Sequence, residues 1–377
     1  MSTLQWMANT NVLRQPGDEQ RVLTLEAESL RTTRWQEVRH TAMAPILRVI
    51  FPFQGYGQLA LEKPWTWSST GSSMAYGRAK SSSKRYYGSA FSYQPRADDI
   101  FVASYPKCGT TWTQYLVLSV LSRGDPPKTN VDFMLASPFL EMMGAEAAEK
   151  MVRPGAIKTH LPFHKAPYSE DAKYIYVARN PYDVCVSFYY HAKGSTPKRV
   201  KDVSFARFHE LFIAGKLTWG DYFDHLLSWY EMRHRPNVLF LTYEEAKKDT
   251  ARWALKIADF LGKEYGDELR KEPALLRKVL RACSLENMRR VFNDSAPSTV
   301  HDLLKLPPER ALKSLEAYRK LEHSHDMHEG EGFVRKGNVG DWRTHFTPAL
   351  ISRTKAWINE KVGCTDVMQL WRDVDIP

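Results

Sequence analysis

The sequence predicts an α/β protein, with a central and mostly parallel sheet flanked by helices, over residues 93–377. Three observations carry this. Short apolar runs without polar alternation, such as Lys173–Ala178 and Val238–Thr242, read as strands buried on both faces. They alternate with segments of helical periodicity, the pattern of strands joined by crossover helices. At residues 99–122, DIFVASYPKCGTTWTQYLVLSVLS, strand, tight loop and helix follow without a gap.

The first strand is Ile100–Ser104. The turn after it, Tyr105 to Gly109, contains Pro106, which fixes its own φ, and Gly109, which permits a close approach. A helix over Thr110–Ser122 places Trp112, Tyr115, Leu116, Val120 and Leu121 at helical spacing. The second and third strands are Ala156–Thr159 and Lys173–Ala178. Helices follow at Tyr182–Ala192, Phe205–Ala214 and Tyr222–Arg233, then the strand Val238–Thr242 and a helix over Thr250–Leu261.

Residues 1–92 differ in character. Trp67 to Ser92 is rich in Ser, Gly and Tyr, and buries too little apolar surface to offset its ordering entropy. The expectation is a largely irregular or disordered N-terminal extension before one domain. No internal repeat is visible.

Net charge is +10, but the 53 basic residues are scattered and form no long run. Small anionic ligands therefore fit better than nucleic acid. The four cysteines, Cys108, Cys185, Cys283 and Cys364, lack metal-site spacing, which points to reduced thiols, a cytoplasmic setting and no bound metal. The most apolar N-terminal segment, Ala42 to Phe53, is broken by Pro45, Arg48 and Pro52, so no membrane anchor is expected.

In a parallel sheet, ligands bind beyond the carboxyl ends of the strands. Here those ends carry Lys107 in a P-loop-like phosphate loop with Gly109, Thr110, Thr111 and Trp112; Lys158 and His160; Arg179, with Ser187 in the next helix; and Tyr243. A helix N-terminus adds unpaired N–H groups and partial positive charge to the loop. Late in the chain, Arg335 and Lys336 precede Gly337 and Gly340, a pattern that would let the backbone wrap a small anion, the alternative being an ordinary basic turn. Together these fit a ligand with several negative charges. The loop lacks Walker spacing, and no carboxylate set is placed for Mg²⁺.

The series YPKCGTTW, KTHLP, YVARNPYDVCVSFYYH, LTYEEAKKD and RKGNVGDW resembles the signature motifs of the cytosolic sulfotransferases, in order and rough spacing. The resemblance runs from about Tyr93 onward. It implies a donor, 3′-phosphoadenylyl sulfate (PAPS), and a product, adenosine 3′,5′-bisphosphate (PAP). It implies that Lys107, Cys108, Gly109, Thr110 and Thr111 hold the 5′-phosphosulfate, with Trp112 stacking on adenine. It gives Arg179, Ser187, Arg335, Lys336 and Gly337 to the 3′-phosphate, and Tyr243, Ser284 and Leu285 to the adenine. His160 would be the catalytic base, and Lys107 and Lys158 would stabilise the transferring group.

Four departures stand out. Cys108 and Leu285 replace a common serine and a common aromatic. Residues 293–333 are long, charged and His-rich at HSHDMHEG, suggesting an exposed loop. Pro348 and Ser352 fall where the short motif used by many members to dimerise has valine and glutamate, which leaves a homodimer by that route unsupported. Cys108 beside Lys107 also sits where a thiolate would be favoured, the alternative being a small packing side chain. The acceptor is expected to be a small phenol, alcohol or aryl amine, with Phe139, Met142, Phe163, Phe188 and Tyr189 as candidate pocket walls. Two other functions stay open: a P-loop-type nucleotide kinase and a non-catalytic nucleotide-binding protein.

Overall fold

The computed structural model describes residues 89–194, 203–293, 296–315 and 332–377. The expectations for residues 1–88, and for residues 294–295 and 316–331 with the histidines of HSHDMHEG, lie outside the described residues; the rest of the 293–333 stretch departs from an exposed loop, since Ala296–Leu304 is a helix and Leu303, Leu312 and Leu315 are buried. Four strands, β1 (Ile100–Ala103), β2 (Ile157–Thr159), β3 (Lys173–Ala178) and β4 (Val238–Thr242), form one sheet in the order β2-β1-β3-β4. Every neighbouring pair is parallel, so all four carboxyl ends lie along one edge.

Helices fill both faces. In chain order they are α1 (Thr110–Leu121), α2 (Asn130–Ala136), α3 (Leu140–Glu149), α4 (Pro181–Gly194), α5 (Phe205–Ile213), α6 (Tyr222–Tyr230), α7 (Tyr243–Lys248), α8 (Thr250–Leu261), α9 (Lys263–Lys271), α10 (Pro273–Ala282), α11 (Leu285–Phe292), α12 (Ala296–Leu304) and α13 (Pro348–Val362). Side chains alternate across a strand, and here the alternation divides two cores. Phe101, Ala103, Tyr174, Tyr176 and Ala178 face Val184 of α4, Phe208 of α5, Leu226 of α6 and Trp357 of α13. Ile100, Val102, Ile175 and Val177 face Leu116 of α1, Ile257 of α8, Val279 of α10 and Met288 of α11. Strands buried on both faces explain why the sequence shows continuous apolar runs. Register adds specificity: Phe101 pairs with Tyr174, and their rings stack at 4.9 Å.

The helices start where capping side chains permit. Ser204, Asp221, Thr242, Asp249, Ser284 and Thr347 each accept a hydrogen bond from a first-turn N–H. Pro348 follows Thr347 at a position where a missing N–H costs nothing.

Residues 89–92 form a short helical turn that packs on the domain. Ala90 is fully buried in the first core, and Ser89 Oγ accepts from the Ala145 N–H at 3.3 Å. The expected division after residue 92 therefore falls inside a packed segment. Among the described residues, no helix is long and apolar enough to cross a membrane.

Candidate active site

The edge carrying the strand ends gathers the residues singled out in the sequence. The loop between β1 and α1 turns on Lys107, which adopts φ 71, and on Gly109, with φ 100. A non-glycine residue in the left-handed region is uncommon and marks a backbone held in place by its surroundings. Gly109 is required sterically as well, since a Cβ there would lie 2.5 Å from the Tyr243 ring. Thr110 is buried, and its Oγ1 lies 2.5 Å from Ser104 Oγ, joining the helix start to the end of β1. Thr111 and Trp112 are half-buried. Trp112 Nε1 donates to the Cys283 carbonyl at 3.1 Å, which ties the loop to the Ser284–Leu285 stretch. Ser284 is the N-cap of α11, accepting from the Asn287 N–H at 3.2 Å.

Arg179, at the end of β3, links the early loop to the late one. It donates to the Lys107 carbonyl at 3.2 Å and to the Asn338 carbonyl at 2.9 Å. Its guanidinium lies 4.6 Å above the Tyr243 ring. Tyr243 Oη donates to the Gly337 carbonyl at 2.9 Å, and Gly337 leaves room for Leu285, whose Cδ1 would be 3.1 Å from a Cβ there. The late loop is held from below by Asp183, whose carboxylate accepts the N–H groups of Gly340 and Trp342 at 2.8 and 3.0 Å. Arg335 and Lys336 both pair with Asp341, Lys336 at 2.7 Å. Ser187 lies half-buried on α4.

Lys107 is the electrostatic centre. Burial, then the charges of Lys158, Arg179 and Arg335, lower its ammonium to about 7. Burial lowers Lys158 to about 8, although Glu141 opposes the shift. A lysine depressed by burial and by neighbouring cations in a half-buried cradle fits a polyanionic ligand, whose charge would relieve the repulsion. The donor set thus fits a nucleotide bearing both a 5′ and a 3′ anionic group.

His160 is buried just beyond β2. Its Nδ1 lies 2.7 Å from the Ser104 carbonyl, its N–H donates to Glu141 Oε1 at 2.5 Å, and its carbonyl accepts from His225 Nε2 at 3.1 Å. A carbonyl only accepts, so Nδ1 carries the proton and Nε2 carries the lone pair. Burial, followed by the charge of Lys158, holds the imidazole well below its ordinary range. Phe139 and Trp219 meet its ring edge-on, with centroids 5.1 and 5.2 Å away. Lys158 Nζ lies 4.4 Å from the centroid of the Phe139 ring.

Two readings left open by the sequence are narrowed. Cys108 is fully buried in the first core, and burial raises its thiol well above the usual range, so it packs rather than reacts. Of the candidate pocket walls, Phe139 alone has its ring packed against that of His160. Phe163 packs on Trp229, Phe188 on Phe208, and Met142 on the satellite cluster around Leu303. Tyr189 packs on Phe205 and Phe208. Apolar residue type alone could not separate core from pocket.

Sequence reasoning missed Glu141, Trp219 and Asp183. The first two reach His160 from outside any strand end. Asp183 was hidden because a first-turn carboxylate normally reads as a helix-dipole partner.

Comparison with known proteins agrees with this geometry. The model of the sulfotransferase domain matches residues 97–366. Sulfotransferase 1E1 of Cavia porcellus is 34% identical over 280 residues, 71% of this chain and 83% of that protein. Sulfotransferase 2A1 of Rattus norvegicus is 35% identical over 271 residues, 71% of this chain and 85% of that protein. Among solved structures, mouse sulfotransferase SULT7A1 complexed with PAP matches with TM-score 0.55 and 30% identity, over 78% of this chain and 94% of that one. Retinol dehydratase in complex with androsterone and PAP matches with TM-score 0.57 and 26% identity, over 75% of this chain and 87% of that one. The chain therefore belongs to the sulfotransferase family, as an enzyme that uses PAPS as its sulfuryl donor.

Proposed function

We propose that the protein moves a sulfuryl group from PAPS to a hydroxyl or amine of a small organic acceptor, with His160 as general base. The observation that carries this is the tautomer of His160. Its Nδ1 proton is committed to the Ser104 carbonyl, and burial keeps the ring neutral, so Nε2 is available to take a proton. His160 Nε2 accepts the acceptor's proton as the acceptor oxygen bonds to sulfur. Lys107 donates to the oxygen bridging sulfur and the 5′-phosphate as that S–O bond breaks, so the leaving group departs as PAP. Lys158 steadies the equatorial sulfuryl oxygens. A sulfuryl group carries less charge than a phosphoryl group, so lysines can supply what a metal supplies in kinases.

Gly109, Thr110 and Thr111 hold the 5′-phosphosulfate, and the main-chain N–H of Cys108, which donates to the Tyr105 carbonyl at 3.4 Å, would exchange that bond for one to the ligand. Arg179, Ser187, Arg335, Lys336 and Gly337 hold the 3′-phosphate. Trp112, Tyr243, Ser284 and Leu285 frame the adenine. The 3′-phosphate would exchange with Asp341 as the partner of Arg335 and Lys336. Phe139 and Trp219, tilted at 6.0 Å from each other beside His160, favour a flat or ring-containing acceptor. The androsterone seen with the related retinol dehydratase is of that kind. Three free cysteines buried in the domain suit a reducing, cytoplasmic setting.

The deciding experiment is His160→Ala, assayed for transfer from PAPS and for PAP affinity. The expected result is a rate loss of about a hundredfold to ten-thousandfold with unchanged PAP binding. A nitrophenol already ionised at assay pH should lose less than an aliphatic alcohol. An equal loss for both would make His160 a positioning group.

A further inference from the structure

One helix fastens the stretch of chain that carries His160. Residues 160–162 lie beyond β2 and belong to no strand or helix. Their main chain is held by α6 instead. His225 Nε2 donates to the His160 carbonyl at 3.1 Å, and Trp229 Nε1 donates to the Leu161 carbonyl at 3.0 Å. Ser228 Oγ accepts the Phe163 N–H at 3.0 Å. One turn earlier, the Tyr222 hydroxyl donates to the carbonyl of Arg179, just past the end of β3. Tyr222, His225 and Trp229 stand at i, i+3 and i+7, so a single face of α6 addresses the ends of β2 and β3 together.

His225 is the member of this face that bonds to the residue at the reaction centre. It is 2% exposed, and burial lowers its imidazole to about 3, so the ring is neutral at any working pH. Its tautomer is fixed from both sides. The His160 carbonyl only accepts, so Nε2 carries the proton. Nδ1 then carries the lone pair and accepts from the fully buried Tyr176 hydroxyl at 3.0 Å. Tyr176 lies on β3, so the sheet orients the imidazole and the imidazole holds the next strand's extension. The peptide groups on both sides of His160 are thereby fixed, the N–H by Glu141 and the carbonyl by His225. Nε2 is the far end of the His160 side chain, and a small rotation of that main chain would carry it away from an incoming acceptor.

Resting on the general-base reading of His160, we infer that His225 is a positioning residue for sulfuryl transfer. It holds the His160 main chain so that Nε2 meets the acceptor proton, and the Tyr176 hydroxyl keeps it in the tautomer that can do so. His225 touches neither donor nor acceptor and acts through His160.

The test measures transfer from PAPS to an aliphatic alcohol and to a nitrophenol already ionised at assay pH. The variants are His225→Leu, His225→Gln and Tyr176→Phe, each alone and combined with His160→Ala. Calorimetric affinity for PAP checks that each is folded. His225→Leu should lower kcat for the alcohol by about a hundredfold, the cost of misplacing a reacting group by about 1 Å, with a much smaller loss for the nitrophenol. His225→Gln keeps an N–H for the His160 carbonyl and should recover most of that rate. Tyr176→Phe removes one hydroxyl group and should cost the alcohol about tenfold, the worth of one buried hydrogen bond. It makes the same comparison should the leucine variant fail to bind PAP. With His160→Ala in place, none of the three should lower the rate further, because residues that act through one group are not additive. Equal losses for the two acceptors, or losses undiminished without the His160 imidazole, would overturn the inference. Failure of the base reading is separable: it is read by His160→Ala alone, whereas the combined variants report whether His225 acts through His160.

Discussion

Binding of PAP should draw protons from solution. In the free protein, Lys107 sits at about 7 and Lys158 at about 8, the first by burial and by three neighbouring cations, the second by burial. A bound bisphosphate places negative charge beside Lys107 and restores its ordinary basicity. The sign follows directly. A group with a lower pKa in the free protein than in the complex gains a proton on binding, so affinity falls as pH rises above the lower pKa. Near pH 8, Lys107 carries about 0.1 proton and Lys158 about 0.5, so binding takes up about 0.9 proton through Lys107 and up to about 1.4 if Lys158 responds fully. Near pH 6 both are already charged, and uptake falls to about 0.1. Calorimetry in buffers of different ionisation enthalpy reads this number. Lys107→Met should remove most of it, while Lys158→Gln should leave a reduced Lys107 part, because it also takes away one of the charges that depress Lys107. Uptake near zero at the higher pH, or equal uptake at both, would refute the picture of a Lys107 depressed by burial and its neighbouring cations.

Three further outcomes follow from particular contacts. Because Cys364 is exposed while Cys108, Cys185 and Cys283 are buried, a thiol reagent on native protein should label Cys364 quickly and Cys108 only on unfolding, which peptide mapping would read. Arg335→Ala should weaken PAP by at least about tenfold, the worth of a charge-assisted hydrogen bond, while barely changing AMP; equal losses would remove the 3′-phosphate from the late loop. A chain starting at residue 86 should stay soluble and bind PAP, whereas one starting at Tyr93 should melt lower, because it lacks the buried Ala90 and the Ser89 hydroxyl that receives the Ala145 N–H.

The parts of the fold that could be read from sequence were those whose signal is local. Lys173–Ala178 and Val238–Thr242 match their strands end to end because an apolar run between turn residues is the whole of the signal. The phosphate loop was legible for the same reason, since strand, turn and helix are contiguous. The second strand is shorter than its apolar run, because Ala156 donates to the Ala136 carbonyl rather than to the β1 ladder. Glu141 was not legible, as its partner is the backbone of His160 and only folding brings them together. Trp219 gave no periodic signal, standing in the turn that ends at Gly220 with φ 74. For Cys108 a reactive thiol and a packing side chain both stayed open, because sequence shows its charged neighbour but not the core its side chain enters.

The Asp183 carboxylate gives this architecture an order of completion. The proposed donor cradle is laid down by Tyr243, on strand ends and the helices that follow them, except for the Ser284–Leu285 stretch and one late turn. The missing turn arrives from far downstream and belongs to no strand. Its Gly340 and Trp342 are fastened to the first turn of α4 by two hydrogen bonds to one side chain. The late turn thus supplies Arg335, Lys336 and Gly337 to a 3′-phosphate site whose other proposed members, Arg179 and Ser187, come from the sheet edge and α4. Adenosine 5′-phosphosulfate and PAPS would look more alike to a pocket without that turn. On that assignment, telling the two apart depends on the late turn, and a loosened clasp at Asp183 should weaken it.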